Sequence, residues 1–147
     1  MNTGIGIEKS ITTLNALLKI KNKSDMFTTL DLVIYDPFKN EMEFYKNGSM
    51  HSFIIRGEAI IEVEGRTLPI GIMNEIAIKH EKYELCVGDY ILMMSDGIDE
   101  KEEFQIIDYI IDHHQQNPQM IVSSFATMLE EASAIDDATV LLLKIEG

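Results

Sequence analysis

Apolar residues recur at helical spacing in three places along the chain. Four of them near the start follow an i, i+4, i+7, i+11 pattern: Ile7, Ile11, Leu14 and Leu18. Two further stripes lie in the last third, and their members are Phe104, Ile107, Ile110 and Ile111, then Met120, Ile121, Phe125 and Leu129. Pro118 stands where the third helix would begin, a position that suits a residue without a backbone N–H. The pattern predicts three amphipathic helices.

A strand pattern of β-branched and alternating apolar residues fills the chain between the first two helices and returns at its end. The segments are 27–35, 41–48, 50–57, 58–66, 77–86, 90–97 and 138–146. Short turns separate most of them, a connecting loop that contains Pro69 follows the fourth, and residues 87–89 are predicted to form a hairpin turn. Tight turns imply antiparallel pairing, since parallel pairing needs long crossovers. Because strands and helices are largely segregated, the predicted class is α+β with a mostly antiparallel sheet.

Size, charge and cysteine content narrow the function. The 147 residues suffice for a single domain spanning 1–147. The formal net charge is −13 and no basic cluster interrupts it, which argues against nucleic-acid binding. No apolar run approaches the ~20 residues of a membrane span, and the first residues lack a signal-peptide pattern. Together with a single cysteine, Cys86, these features predict a cytoplasmic location.

Two aspartate positions are candidates for chemistry. Asp96 ends a strongly apolar strand, and Gly97 after it permits a sharp turn or the close approach of another group. Forty residues later (136 − 96 = 40), Asp136 and Asp137 stand at the mouth of the last apolar strand. If the two strands are neighbours, these carboxylates meet at one rim, where a divalent cation would relieve their repulsion. The alternative is that each aspartate only ends a strand or caps a helix, and spacing leaves both interpretations open. Cys86, by contrast, is expected to pack on a strand rather than act as a nucleophile.

Several short motifs follow one another along the chain. The first is a strand pair that leads into a Lys-x-Gly turn and a Ser-Phe-Ile strand, from Lys46 to Ile54. A Leu-Pro-hydrophobic-Gly-Ile segment begins at Leu68, and a Gly-Asp turn, apolar strand and Ser-Asp-Gly motif follow over residues 87–97. The last motif is Asp-Asp-Ala-Thr at 136–139. Together the motifs extend over about three-quarters of the chain, and in this order they resemble those of type 2C (PPM) metal-dependent serine/threonine protein phosphatases, in particular the bacterial sporulation stage II branch.

The resemblance implies a β-sandwich of two antiparallel sheets flanked by helices, with a two-metal site at one end. It implies that Asp96 and Asp136 are metal ligands, that Asp137, where many relatives have asparagine, is a further ligand, and that Gly97 lies at the cofactor. The metal would be Mn²⁺ or Mg²⁺, which would activate a water for attack on phosphoserine or phosphothreonine of a regulatory protein. No covalent intermediate is needed, so no catalytic nucleophile is expected among the side chains.

One departure from the family pattern affects the expected function. Relatives carry an earlier Asp-Gly-Met-Gly type ligand motif and a basic phosphate-contacting residue, and neither precedes the first helix here. The resemblance therefore predicts a partial domain without its first strands and with a weak metal site. Whether the chain is the soluble part of a larger membrane-tethered protein, as in the sporulation branch, is left open by these residues.

Two other functions are left open. In the first, the chain is a catalytically incomplete phosphatase fold that serves as an interaction or dimerisation module, pairing with another copy through an exposed sheet edge. In the second, it is a small binding domain of unrelated fold.

Overall fold

The computed structural model describes residues 6–21, 27–49, 51–131 and 137–147. Within these ranges the chain forms three helices and seven strands. In chain order they are α1 (Ile7–Lys21), β1 (Leu30–Asp36), β2 (Glu41–Asn47), β3 (Ser52–Arg56), β4 (Ala59–Val63), β5 (Lys79–Glu84), β6 (Tyr90–Met94), α2 (Glu100–Asp112), α3 (Pro118–Glu131) and β7 (Val140–Lys144). No helix in the described ranges combines the length and the apolar character needed to cross a bilayer.

The strands form two sheets, with orders β1-β2-β5 and β4-β3-β6-β7. β1 pairs antiparallel with β2, and β3 pairs antiparallel with both β4 and β6. β6 also pairs antiparallel with β7, in a register that places Tyr90 opposite Lys144 and Met94 opposite Val140. These pairings confirm the predicted α+β class with antiparallel strands.

The predicted hairpin at residues 87–89 is wrong, because β5 belongs to the first sheet and β6 to the second. The turn before β6 makes a polar contact with β3. Arg56 at the end of β3 donates to both carboxylate oxygens of Asp89, from Nε at 2.9 Å and from a terminal guanidinium nitrogen at 2.7 Å. The turn is therefore fixed to a strand of the second sheet. The expected packing of Cys86 on a strand is also wrong: β5 ends at Glu84, so the thiol lies in the following loop and is exposed.

The chain divides into two compact units, and Met1–Ser49 with Gly65–Tyr83 makes up the first. Its apolar centre consists of Ile11 of α1, Tyr45 of β2 and Ile70. Asn15 of α1 is also buried: its side-chain oxygen accepts from the amide of Gly71 at 2.8 Å, and its nitrogen donates to the carbonyl of Met73 at 3.0 Å. One side chain thus holds the helix to the loop before β5.

Met50–Glu64 and Glu84–Gly147 form the second unit. Its core joins β3 and β6 to α2 and α3, and its buried members are Phe53, Ile55, Tyr90, Leu92, Met94, Ile98, Ile106, Ile107, Ile110, Ile121 and Phe125. Every second residue of β6 contributes, as expected for a strand with one face on a core. This cluster supports the end of β6, which is followed by Asp96.

Only some residues of the predicted helical stripes are buried. Ile107, Ile110, Ile121 and Phe125 are buried, whereas Phe104 is 64% exposed, Met120 61% and Leu14 41%. At 3.6 residues per turn, Phe104 lies roughly 110° from the centre of the buried face of α2, which Ile106 shares. The side chain of Leu129 is outside the described part.

Candidate metal centre

The candidate site begins where β6 leaves its pairing with β7. One step beyond the last strand pair, the Ser95 amide donates to the carbonyl of Thr139 at 3.0 Å. In return the Thr139 amide donates to Ser95 Oγ at 2.8 Å. The two segments that carry the candidate aspartates are therefore joined by two hydrogen bonds across 44 residues of sequence.

Asp96 and Gly97 occupy the middle of a tight turn that follows. The Ile98 amide donates to the carbonyl of Ser95 at 3.2 Å, closing a four-residue turn. Asp96 itself is exposed, whereas Ile98 is buried in the core of the second unit. Asp96 is thus exposed to solvent on a turn whose last residue, Ile98, is anchored in the core.

Asp99 fixes the far side of this turn by starting α2. Its carboxylate accepts from the amide of Glu102 at 2.7 Å, and the Glu102 carboxylate accepts from the Asp99 amide at 3.0 Å. This reciprocal pair is a capping box, and such N-caps are worth about 1 kcal/mol. Since Asp99 caps the helix, the capping alternative does not account for Asp96.

Gly97 packs against the segment before β7. A β-carbon on residue 97 would stand 2.3 Å from the carbonyl oxygen of Asp137 and 3.0 Å from the Cα of Ala138. No side chain fits there, so the close approach inferred from the sequence exists, and the group that approaches is the main chain of Asp137. A role for Gly97 at the cofactor itself stays a prediction.

Two of the three predicted metal ligands, Asp96 and Asp137, lie within the described residues. Asp96 and Asp137 are exposed and lie on the two segments that Gly97, Ser95 and Thr139 hold together, whereas Asp136 is outside the described residues. Among the residues with described positions, no three His, Cys, Asp or Glu side chains are grouped closely enough to hold a metal ion. Asp96 and Asp137 nonetheless fit Mg²⁺ or Mn²⁺, because both side chains are carboxylates and the main-chain segments that carry them are in contact.

The other end of β6 is fixed by Asp89, whose structural role the sequence did not reveal. Its carboxylate is almost fully buried, accepts from Arg56 and also accepts from the Cys86 amide at 2.8 Å. The hydrogen bond with Asp89 raises the pKa of the Arg56 guanidinium. The main chain of Asp89 accepts from the Ile145 amide at 2.9 Å, so β7 is held at this end as well.

In the first unit, the Lys-x-Gly and Leu-Pro motifs interlock. Asn47 donates to the carbonyls of Leu68 and Ala77, at 3.3 and 2.8 Å. Gly48 has a φ of +65° and lies so close to Pro69 that a β-carbon on residue 48 would stand 2.5 Å from the proline ring.

Lys46 is buried, and its ammonium group is paired with the carboxylate of Asp31. Burial lowers the pKa of Lys46. These contacts give the motif residues a packing role.

Residues 1–146 match the family described as stage II sporulation protein E (SpoIIE). The chain belongs to the stage II sporulation protein E family. The stage II sporulation protein E of Bacillus subtilis (strain 168) is 39% identical over 98 residues, which cover 67% of this chain and 12% of that protein. The chain therefore spans about one-eighth of the length of this curated relative.

Solved structures of the phosphatase domain of the cell-fate determinant SpoIIE from Bacillus subtilis are similar along nearly the whole chain. One has a TM-score of 0.69 at 32% identity and covers 99% of this chain and 68% of the other. A second, presoaked with Mn, also has a TM-score of 0.69, at 29% identity, with 98% and 68% covered. The antiparallel sheets and three helices described above thus match the type 2C (PP2C) phosphatase fold.

Proposed function

We propose that this chain is part of a metal-dependent protein phosphatase domain that hydrolyses phosphoserine or phosphothreonine on a regulatory protein. Asp96, Asp136 and Asp137 are the proposed ligands of Mn²⁺ or Mg²⁺. The observation that carries the proposal is the packing of Gly97 against the main chain of Asp137, because it brings the Ser-Asp-Gly motif next to Asp137 and Ala138 of the closing motif. Membership of the SpoIIE family and likeness to its phosphatase domain support the same reaction.

Each element of the site has a definable part in this reaction. The exposed carboxylates of Asp96 and Asp137 provide hard oxygen donors. The turn at 95–98 fixes the main chain of Asp96 directly after the end of β6. These carboxylates would hold a divalent cation, and the chemistry that such a cation would supply is activation of water for phosphate-ester hydrolysis. Cys86, the only thiol, is exposed in the loop before Asp89 and has no part in the proposal. No protein nucleophile is required.

The proposed substrate is a phosphorylated protein and the proposed location is the cytoplasm. A phosphorylated protein supplies the ester, and a net charge of −13 opposes nucleic acid as the ligand. The single cysteine supports location of the chain in a reducing compartment, so the proposed location is the cytoplasm. Fractionation of cells tests this location directly. Localisation of this segment outside the cytoplasm contradicts that placement.

A second copy is a proposed partner through a sheet edge. Within the described strands β1 and β5 border one sheet, and β4 and β7 border the other. Edge strands carry backbone groups that can pair with another chain. Light scattering at rising protein concentration is expected to show a dimer, and a constant monomer mass contradicts this proposal without affecting the catalytic one.

The catalytic proposal is tested by release of phosphate from a phosphoserine peptide with Mn²⁺ present. We expect slow Mn²⁺-dependent turnover, because only part of the family's ligand set lies in these residues. Asp96→Asn is expected to abolish it, whereas Asp108→Asn, the same substitution at an exposed position on α2, keeps it. Absence of Mn²⁺-dependent release by the parent chain, or equal release by the Asp96 variant, overturns the proposal.

A further inference from the structure

Ser95 uses all of its polar groups at the point where β6 becomes the Asp96 turn. In a regular antiparallel pair, two opposed residues exchange N–H and C=O groups of the main chain. Here only half of that exchange is regular: the Ser95 amide donates to the Thr139 carbonyl at 3.0 Å. The Thr139 amide donates instead to the hydroxyl of Ser95, at 2.8 Å.

The substitution of hydroxyl for carbonyl has a consequence for the turn. The carbonyl of Ser95, which no longer accepts from Thr139, accepts from the Ile98 amide at 3.2 Å and closes the turn around Asp96 and Gly97. One residue therefore completes the strand pair with its side chain while its main chain starts the turn. A residue without a hydroxyl leaves the Thr139 amide without this acceptor.

The same two segments meet again two residues further on. Gly97 lies against the carbonyl of Asp137 and the Cα of Ala138, at distances that exclude a side chain. The Ser95–Thr139 contact and the Gly97–Asp137 contact thus bracket Asp96 on one segment and adjoin Asp137 on the other. We propose that Ser95 is a positioning residue that sets the placement of Asp96 relative to Asp137 for metal binding, an inference that rests on the proposed function.

The test combines metal affinity with a readout that needs no metal. In metal-free Ser95→Ala, hydrogen exchange of the Thr139 amide, measured by NMR, is expected to be about fivefold faster than in the parent, as for loss of one hydrogen bond. The affinity for Mn²⁺, measured by calorimetry on folded protein, is expected to fall about tenfold, as for loss of a group that orients a ligand. Ser95→Thr retains the hydroxyl and is expected to restore both values. Ser123→Ala removes a comparable hydroxyl, bonded to the Gln119 carbonyl on α3, and is expected to change neither.

The outcomes separate this inference from the proposed function. Faster exchange together with weaker binding, rescued by threonine, supports the positioning role. Unchanged exchange of Thr139, or faster exchange with parental Mn²⁺ affinity, overturns the role while the proposed function stands. A parent chain that binds no Mn²⁺ overturns the proposed function and, with it, the positioning role.

Discussion

Gly97 lies against Asp137 so closely that a β-carbon on residue 97 would stand 2.3 Å from the carbonyl oxygen of that aspartate. The two residues are forty apart in the sequence (137 − 97 = 40) and belong to the two motifs that suggest a metal site. Because the obstacle is main chain on the last strand segment, it cannot move aside as the end of a flexible side chain would. The contact makes glycine a requirement of the packing.

Gly97→Ala is therefore expected to force the two segments apart. We expect the free energy of unfolding, measured by urea titration, to fall by about 1–3 kcal/mol, the range for overpacking in a close contact. Gly6→Ala is the matched control, since a β-carbon there meets no atom within 4 Å. An alanine variant at 97 with parental stability contradicts the described contact.

The Arg56–Asp89 pair is predicted to stabilise the second unit. Asp89→Asn removes a buried carboxylate that accepts from two guanidinium nitrogens and from the Cys86 amide. Hydrogen bonds to charged groups contribute about 1.5–3 kcal/mol, and we expect a loss of unfolding free energy in that range. Exposed Asp108→Asn is expected to be nearly neutral in the same denaturation experiment. Equal stability of the two variants excludes this role for Asp89.

Glu103 on α2 is predicted to make stability depend on pH. Burial raises the pKa of its carboxyl, with Glu62 and Glu100 adding to the effect and His51 opposing it. Because the folded form holds the proton more tightly than the unfolded form, ionisation of Glu103 lowers stability as pH rises from its ordinary value of 4.5 through the raised folded value.

The test compares Glu103→Gln with the parent in urea titrations between pH 4 and pH 7. We expect the glutamine variant to gain stability relative to the parent at the upper end of this window and to gain little at the lower end. Asp108→Asn serves as the charge-matched control. A constant difference between Glu103→Gln and the parent across the window contradicts the direction of the shift.

The elements with local signals could be predicted from the sequence. Helical spacing located three helices, and the apolar run of β6 located the strand that leads to Asp96. Sheet membership was harder, because residues 87–89 look like a hairpin turn, whereas β5 lies beside β2 and β6 pairs with β3, to which the Asp89–Arg56 pair ties the turn. Such a pair leaves no periodicity in the sequence.

At the candidate site, the neighbouring position of the two strand ends was predicted, while metal binding by Asp96, Asp136 and Asp137 stays a prediction. The motifs indicated Asp96, Gly97 and Asp137, and the approach of Gly97 to the segment of Asp137 agrees with the inference that the two strand ends are neighbours. The part played by Ser95 was not predicted, since its hydrogen bond with Thr139 spans 44 residues and depends on the register of β6 and β7. Asp99, three residues after Asp96, proved to be the helix cap, which spacing did not distinguish.

The central claim is that Asp96 binds a divalent cation, and calorimetric titration of the metal-free chain with Mn²⁺ tests it most directly. We expect weak binding by the parent, a loss of about tenfold or more in Asp96→Asn, and parental affinity in Asp99→Ala, which removes only the cap of α2. Parental Mn²⁺ affinity in Asp96→Asn, or no binding by the parent, contradicts the account.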